Sequence, residues 1–232
     1  NGAINGLRDS GYVIVSPNYT LAEFGKTPFP VNIADCYDAI QWIKTQADVY
    51  SLDTNRIGIL GESAGAHIAM MLAFANPEIY NRSVAKPSFD YLIDIYGPND
   101  LKSIYESGLL DSIQFTFTAL PDKIQNRLDL TKYLIGFNPN QDSIKAFELM
   151  ERYSPIKYLD SKNQVPTLII QGDKDQLVPV NQSIRLFEQL KALKVESDLH
   201  ILKNVDHAFI GGSSLQKDSV QFWIKEFVLK RK

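Results

Sequence analysis

The sequence predicts an α/β fold in which a mostly parallel sheet is flanked by helices. Three observations carry that expectation. Short apolar runs at Gly11–Ser16, Ile57–Leu60, Tyr91–Tyr96 and Pro166–Gly172 show little polar alternation, as strands covered on both faces do. Between such runs lie segments whose apolar residues repeat at helical spacing, and strands alternating with helices imply crossover connections. Finally, Gly61-Glu-Ser-Ala-Gly65 joins one apolar run directly to a small-residue helix.

Taken in order, the first run ends at Pro17-Asn-Tyr19, before a loop holding Pro28 and Pro30. From Asn32 to Ala47 the apolar residues Ile33, Cys36, Tyr37, Ile40 and Ile43 trace one helix face. Asp53-Thr-Asn-Arg56 leads into the Ile57–Leu60 strand, and the helix from Ala66 to Ala75 stops at Asn76-Pro77. The Tyr91–Tyr96 strand closes at Gly97-Pro98. Residues 98–160 then break the rhythm, with helical patterns at Lys123–Leu134 and Ser143–Arg152 but no strand. A stretch that long is more than a connection, so a helical cap is expected there. Its aromatics, Tyr105, Phe115, Phe117 and Phe137, either line a substrate pocket or pack the cap on the body. Alternation resumes with the Pro166–Gly172 strand, a helix at Val180–Leu193, a strand at Asp198–Leu202 and a last helix at Ser214–Leu229.

The totals bound what such a chain does. At 232 residues it fits one domain, 1–232, with the cap at 98–160. Hydrophobic residues make up 44% and charged residues 22%, enough for a core and unlike a disordered chain. A net charge of −3 gives no electrostatic reason to expect nucleic acid. The single cysteine, Cys36, rules out an intrachain disulfide and a cysteine-based zinc site, and its helix face makes it a buried thiol. No apolar run approaches the roughly 18 residues of a transmembrane segment.

The Gly61–Gly65 turn is where chemistry is expected. A Gly-x-Ser-x-Gly between strand and helix is the nucleophile elbow. Both glycines are expected to avoid clashes in a tight turn, leaving the Ser63 hydroxyl exposed and the Ala64 N–H aimed at a forming oxyanion. A plain Gly-rich turn or a phosphate cradle would use the same residue types. A serine needs a base, and the base needs an orienting group. Of the three histidines, His67 sits a turn into the elbow helix and His200 lies mid-strand, both structural positions. His207 follows a strand end, where sites of open parallel sheets are built. The acid is expected in the next loop back, where Asp175 lies far enough round to turn inward and Asp173 braces the turn. Asp206, adjacent to His207, is a poorer candidate because neighbouring side chains diverge. The order Ser63, Asp175, His207 is one that strand-topped hydrolases use.

With these pieces assembled, the chain resembles the α/β-hydrolase superfamily, specifically the esterase/lipase group of hormone-sensitive-lipase-like and feruloyl-esterase-like carboxylesterases. The matching pieces are Gly11–Tyr19, the Phe29-Pro30 to Trp42 helix with Asp35, Asp53–Gly58, Gly61–Gly65, Tyr153–Ile156, Gly172–Asp175 with Val178-Pro179, and His207–Phe209. The resemblance implies an α/β-hydrolase fold with Ser63 as nucleophile, His207 as base and Asp175 as acid. It also implies a small-molecule ester substrate, with no cofactor and no metal. The family's His-Gly-Gly oxyanion loop is missing, as are two or three N-terminal strands, one of which lies between the Tyr12 strand and the elbow strand. The expectation is therefore an N-terminal segment upstream of Asn1. The residues leave open an amide or formamide hydrolase, a peptidase, or a scaffold without catalysis, and they set neither oligomeric state nor compartment.

Overall fold

The computed structural model describes residues 2–23, 25–107, 130–162 and 165–231. Helix α1 (Gly2–Arg8) is followed by α2 (Val31–Thr45) and the short α3 (Ala47–Tyr50). Strand β1 (Gly58–Glu62) feeds α4 (Ala64–Phe74), and β2 (Tyr91–Ile95) follows. Between β2 and β3 the described residues form α5 (Leu101–Glu106), α6 (Leu130–Ile135) and α7 (Ser143–Arg152). The chain continues through β3 (Thr167–Gly172), α8 (Asn181–Ala192), β4 (Ser197–Leu202) and α9 (Ser214–Leu229).

The four strands are all parallel and lie in chain order, β1-β2-β3-β4. Because every crossover steps the same way, its helices fall on one face of the sheet. There Ile33 and Ile40 of α2, Ile68 and Leu72 of α4, and Leu186 and Leu190 of α8 meet Leu92 and Ile169. On the opposite face, Leu7 of α1 and Val220, Ile224 and Phe227 of α9 meet Tyr91, Ile93, Ile95, Leu168 and Ile170. Strands β2 and β3 thus send alternate residues to opposite cores, as the two-residue period requires. Each fully buried Ile or Leu contributes about 1.5–3 kcal/mol, so this double core is what holds the strand ends in register. Cys36 is buried in the first core, where burial pushes its thiol up to about 11.

An ionisable side chain of β2 is buried as well. Asp94 of β2 is wholly buried; its Oδ1 accepts the Gly97 N–H at 2.9 Å and its Oδ2 has no partner among the described residues. Burial pushes its carboxyl up to about 7, against the smaller opposing effect of the Gly97 N–H.

The helix expected at Asn32–Ala47 ends at Thr45 and passes into α3; those expected at Ser143–Arg152 and Ser214–Leu229 have those bounds. Phe115, Phe117 and the first part of Lys123–Leu134 lie outside the described residues. The strand expected at Gly11–Ser16 does not form. That segment joins no ladder, and Val13 is 65% and Val15 45% exposed. The physical reason lies beside it. A cleft of about 850 Å³ separates Val13, Ile14 and Val15 from Ile57, Gly58 and Ile59. Strand β1 is the end strand of the sheet, and a strand with no neighbour within hydrogen-bonding distance has nothing to pair with. Among the described residues no helix is long and apolar enough to cross a membrane.

Candidate active site

Ser63 caps α4 with φ 52° and ψ −118°, a left-handed backbone that a serine adopts only under constraint. Its N–H is tied to the Ile95 carbonyl at 2.9 Å, so β2 holds the turn from the side. Gly61 makes the turn possible, since a Cβ there would lie 2.2 Å from the Gly65 carbonyl oxygen. Gly65 departs from expectation: a Cβ there would meet nothing within 4 Å, because the residue faces the cleft beside β1. Ala64 opens α4, and the first N–H groups of a helix have no intrahelical acceptor.

The other two residues arrive from neighbouring loops. His207 stands in a short 3-10 turn after β4, and Asp175 in the loop after β3. Gly172 lets the two loops touch, for a Cβ on it would fall 2.2 Å from the Val205 carbonyl oxygen. His207 Nε2 lies 2.9 Å from Ser63 Oγ, and His207 Nδ1 lies 2.8 Å from Asp175 Oδ2. The Asp175 carboxylate accepts on both oxygens: Oδ1 takes the N–H groups of Leu177 at 2.9 Å and Val178 at 2.8 Å, while Oδ2 also takes Gln171 Nε2 at 2.8 Å. A carboxylate acceptor at Nδ1 favours the tautomer whose Nε2 is free to take a proton from the serine.

The remaining candidates are elsewhere. Asp173 accepts the Asn204 N–H at 2.6 Å and pairs with Lys203 at 3.4 Å. Asp206 accepts its neighbour's N–H at 2.7 Å and both the N–H and the side-chain amide of Gln176, at 2.9 and 2.6 Å. These two carboxylates lace the acid loop to the histidine loop without touching the imidazole. His67 is buried in α4 and donates Nε2–H to the Tyr153 carbonyl at 2.6 Å; burial pulls its ring down to about 4, so it stays neutral. His200 stacks on Trp223 with ring centroids 4.0 Å apart.

Sequence reasoning missed the supports of the imidazole. The Tyr96 ring stands edge-on to His207 with centroids 4.7 Å apart, and its hydroxyl donates to Glu62 Oε2 at 3.0 Å. The β1–β2 register that brings Glu62 beside the end of β2 leaves no mark in the sequence. Gln171 did leave one, as a lone amide in an otherwise apolar strand end.

Beside Ser63 opens a pocket of about 460 Å³ walled by Phe29, Leu101, Ile104, Leu134, Ile135 and Met150, with Asn32 and Thr131 among its few polar side chains. Tyr105 lines it too and packs edge-on against Phe147 of α7 at 5.9 Å, a contact within the 98–160 segment. The loop at Tyr19–Ala22 forms another wall and is pinned to α2, because Thr20 donates both its N–H and its hydroxyl to Asp35 at 2.8 and 2.7 Å. Among the described residues no group of three His, Cys, Asp or Glu side chains gathers as metal ligands would.

A parallel sheet carrying a serine elbow at one strand end and its partners on later strand ends has the architecture of an α/β-hydrolase. The fold is shared with carboxyl esterase 2 from the mycorrhizal fungus Tuber melanosporum, with a TM-score of 0.70 at 20% identity over 100% of this chain and 72% of that one. More narrowly, the chain belongs to the BD-FAE family, whose model matches residues 1–190. Among curated relatives, it is 26% identical over 191 residues to Esterase LipC of Mycobacterium tuberculosis (strain ATCC 25618 / H37Rv), covering 81% of this chain and 42% of the relative. It is 24% identical over 221 residues to the ethyl acetate hydrolase of Pseudomonas putida, covering 93% of this chain and 61% of the relative. The chain therefore spans about half the length of these relatives.

Proposed function

We propose that this chain is a serine carboxylesterase acting on small-molecule esters through Ser63, His207 and Asp175. The observation that carries the reading is the unbroken chain of hydrogen bonds from Asp175 through His207 to Ser63, at 2.8 and 2.9 Å. Membership of the BD-FAE family and the names of the esterase relatives support it. Ser63 Oγ attacks the ester carbonyl while His207 Nε2 takes its proton, and Asp175 stabilises the imidazolium. The Ala64 N–H donates to the oxyanion. His207 then protonates the departing alcohol, and water deacylates Ser63 by the same route in reverse. No cofactor enters this scheme. The helical stretch within 98–160 acts as a cap, with Leu101, Ile104 and Leu134 forming an apolar wall for the ester.

A fluorophosphonate probe tests the assignment alongside hydrolysis of p-nitrophenyl acetate. Ser63→Ala should abolish covalent labelling and reduce hydrolysis by at least about 10³-fold. Labelling that persists in Ser63→Ala at the wild-type rate would sink the assignment.

A further inference from the structure

Asp175 is held by more than the imidazole it faces. Gln171, in β3, gives one Nε2 proton to Asp175 Oδ2 at 2.8 Å and the other to the Val178 carbonyl at 2.8 Å. Its Oε1 accepts the Ser183 hydroxyl at 2.8 Å, from the first turn of α8. Both Gln171 and Ser183 are 0% exposed. The partners fix which way the amide faces, since turning it over would set Oε1 against a carboxylate and a carbonyl, neither of which can donate. Burying an amide is unfavourable unless its polar atoms are bonded, and here both protons and the oxygen are.

We propose that Gln171 is a positioning residue for the triad, with Ser183 holding its amide; the inference rests on the triad reading above. The backbone N–H groups of Leu177 and Val178 anchor only Oδ1 of the carboxylate. With Oδ1 as the sole fixed point, the carboxylate can pivot and carry Oδ2 away from His207 Nδ1–H. Gln171 removes that freedom by bonding Oδ2 directly. It also staples the Val178 carbonyl, so the residue whose N–H holds Oδ1 is itself held by the side chain that holds Oδ2.

A purely structural amide would matter for stability alone, and three variants separate the two roles. Gln171→Met keeps the side chain's length and removes its donors. Ser183→Ala leaves the amide and removes its anchor. Gln182→Met removes another buried amide, whose oxygen serves Asn99 and Asp100 N–H, at 3.1 and 2.8 Å, with no bond to Asp175. Each is checked for folding by circular dichroism, then read by the low-field proton resonance of His207 Nδ1–H and by kcat and KM on p-nitrophenyl acetate. Gln171→Met should shift or broaden the resonance and lower kcat about tenfold or more while KM changes less than about threefold. Ser183→Ala should move both readouts the same way by less, and Gln182→Met should keep the wild-type resonance.

A folded Gln171→Met with wild-type resonance and kcat overturns the proposal, as does a Gln182→Met that loses the resonance equally. Should Gln171→Met fail to fold, Ser183→Ala decides, and wild-type behaviour there overturns the proposal. Failure of the underlying reading looks different, because wild-type hydrolysis would then survive Ser63→Ala whatever Gln171 does.

Discussion

Asp173 and Asp175 flank Lys174, yet their carboxylates meet different partners. Asp175 faces the imidazole, whereas Asp173 faces the Asn204 N–H and Lys203. Replacing Asp175 by Asn presents an N–H where His207 Nδ1–H needs an acceptor, which favours the wrong tautomer and should lower kcat by about 10⁴-fold. Asp173→Asn keeps an oxygen that can accept the Asn204 N–H and loses only the ion pair with Lys203, worth about 1 kcal/mol or less, so kcat should stay within about tenfold. Steady-state kinetics on p-nitrophenyl acetate compares them directly, and the reverse ranking would refute the assignment of the acid. At this scale the sequence was informative about placement, because Asp175 and His207, the proposed acid and base, each follow a strand end, where side chains converge. It was silent on Tyr96 and Glu62, because their meeting depends on the register between β1 and β2.

The β1–α4 elbow is the element on which the site hangs, and its two glycines separate in the structure. An alanine at Gly61 drives a methyl group to 2.2 Å from the Gly65 carbonyl oxygen, backbone that has no room to give. Gly61→Ala should therefore misplace Ser63, with covalent labelling lost and the thermal midpoint lowered. Gly65→Ala meets open space inside a helix, where alanine is favoured over glycine by about 0.5–1 kcal/mol. It should fold at least as stably as the wild type, and thermal denaturation of the pair checks the contrast. Elements with strong local signals were legible, as the coincident bounds of α7 and α9 show: one is capped by Asp142, the other by a Ser213–Gln216 capping box. The Gly11–Ser16 run was misread for a related reason. Its composition suits a strand, but pairing depends on a neighbour across the sheet, and no local pattern reports whether one is there.

For the molecule as a whole, two buried titratable groups tilt stability in opposite directions with pH. Asp94 has a folded value of about 7 against an ordinary 3.8. Between those values the unfolded chain gives up its proton while the folded chain keeps it, so this contribution to stability falls as pH rises. His67, at about 4 against 6.5, does the opposite: stability falls as pH drops through that window. Asp94→Asn isolates the first effect and supplies a donor in place of the unpartnered oxygen. Relative to the wild type, the variant should gain roughly 2–4 kcal/mol on going from about pH 4 to about pH 8. Urea denaturation at both pH values measures the gain, and a difference that stays flat across them would refute it.

The sheet order carries a further consequence. Ser63 leaves β1, Asp175 leaves β3 and His207 leaves β4, so the crossover between β2 and β3 supplies no member of the proposed triad. That same crossover supplies Leu101, Ile104, Leu134, Ile135 and Met150 to the pocket. The proposed triad and this one wall of the pocket thus come from different stretches of the chain, while Phe29, Asn32, Leu177 and Val178 line the pocket from outside the crossover. On the proposed function, a transplant between Pro98 and Asp160 should change which ester is accepted while Ser63, Asp175 and His207 stay in place.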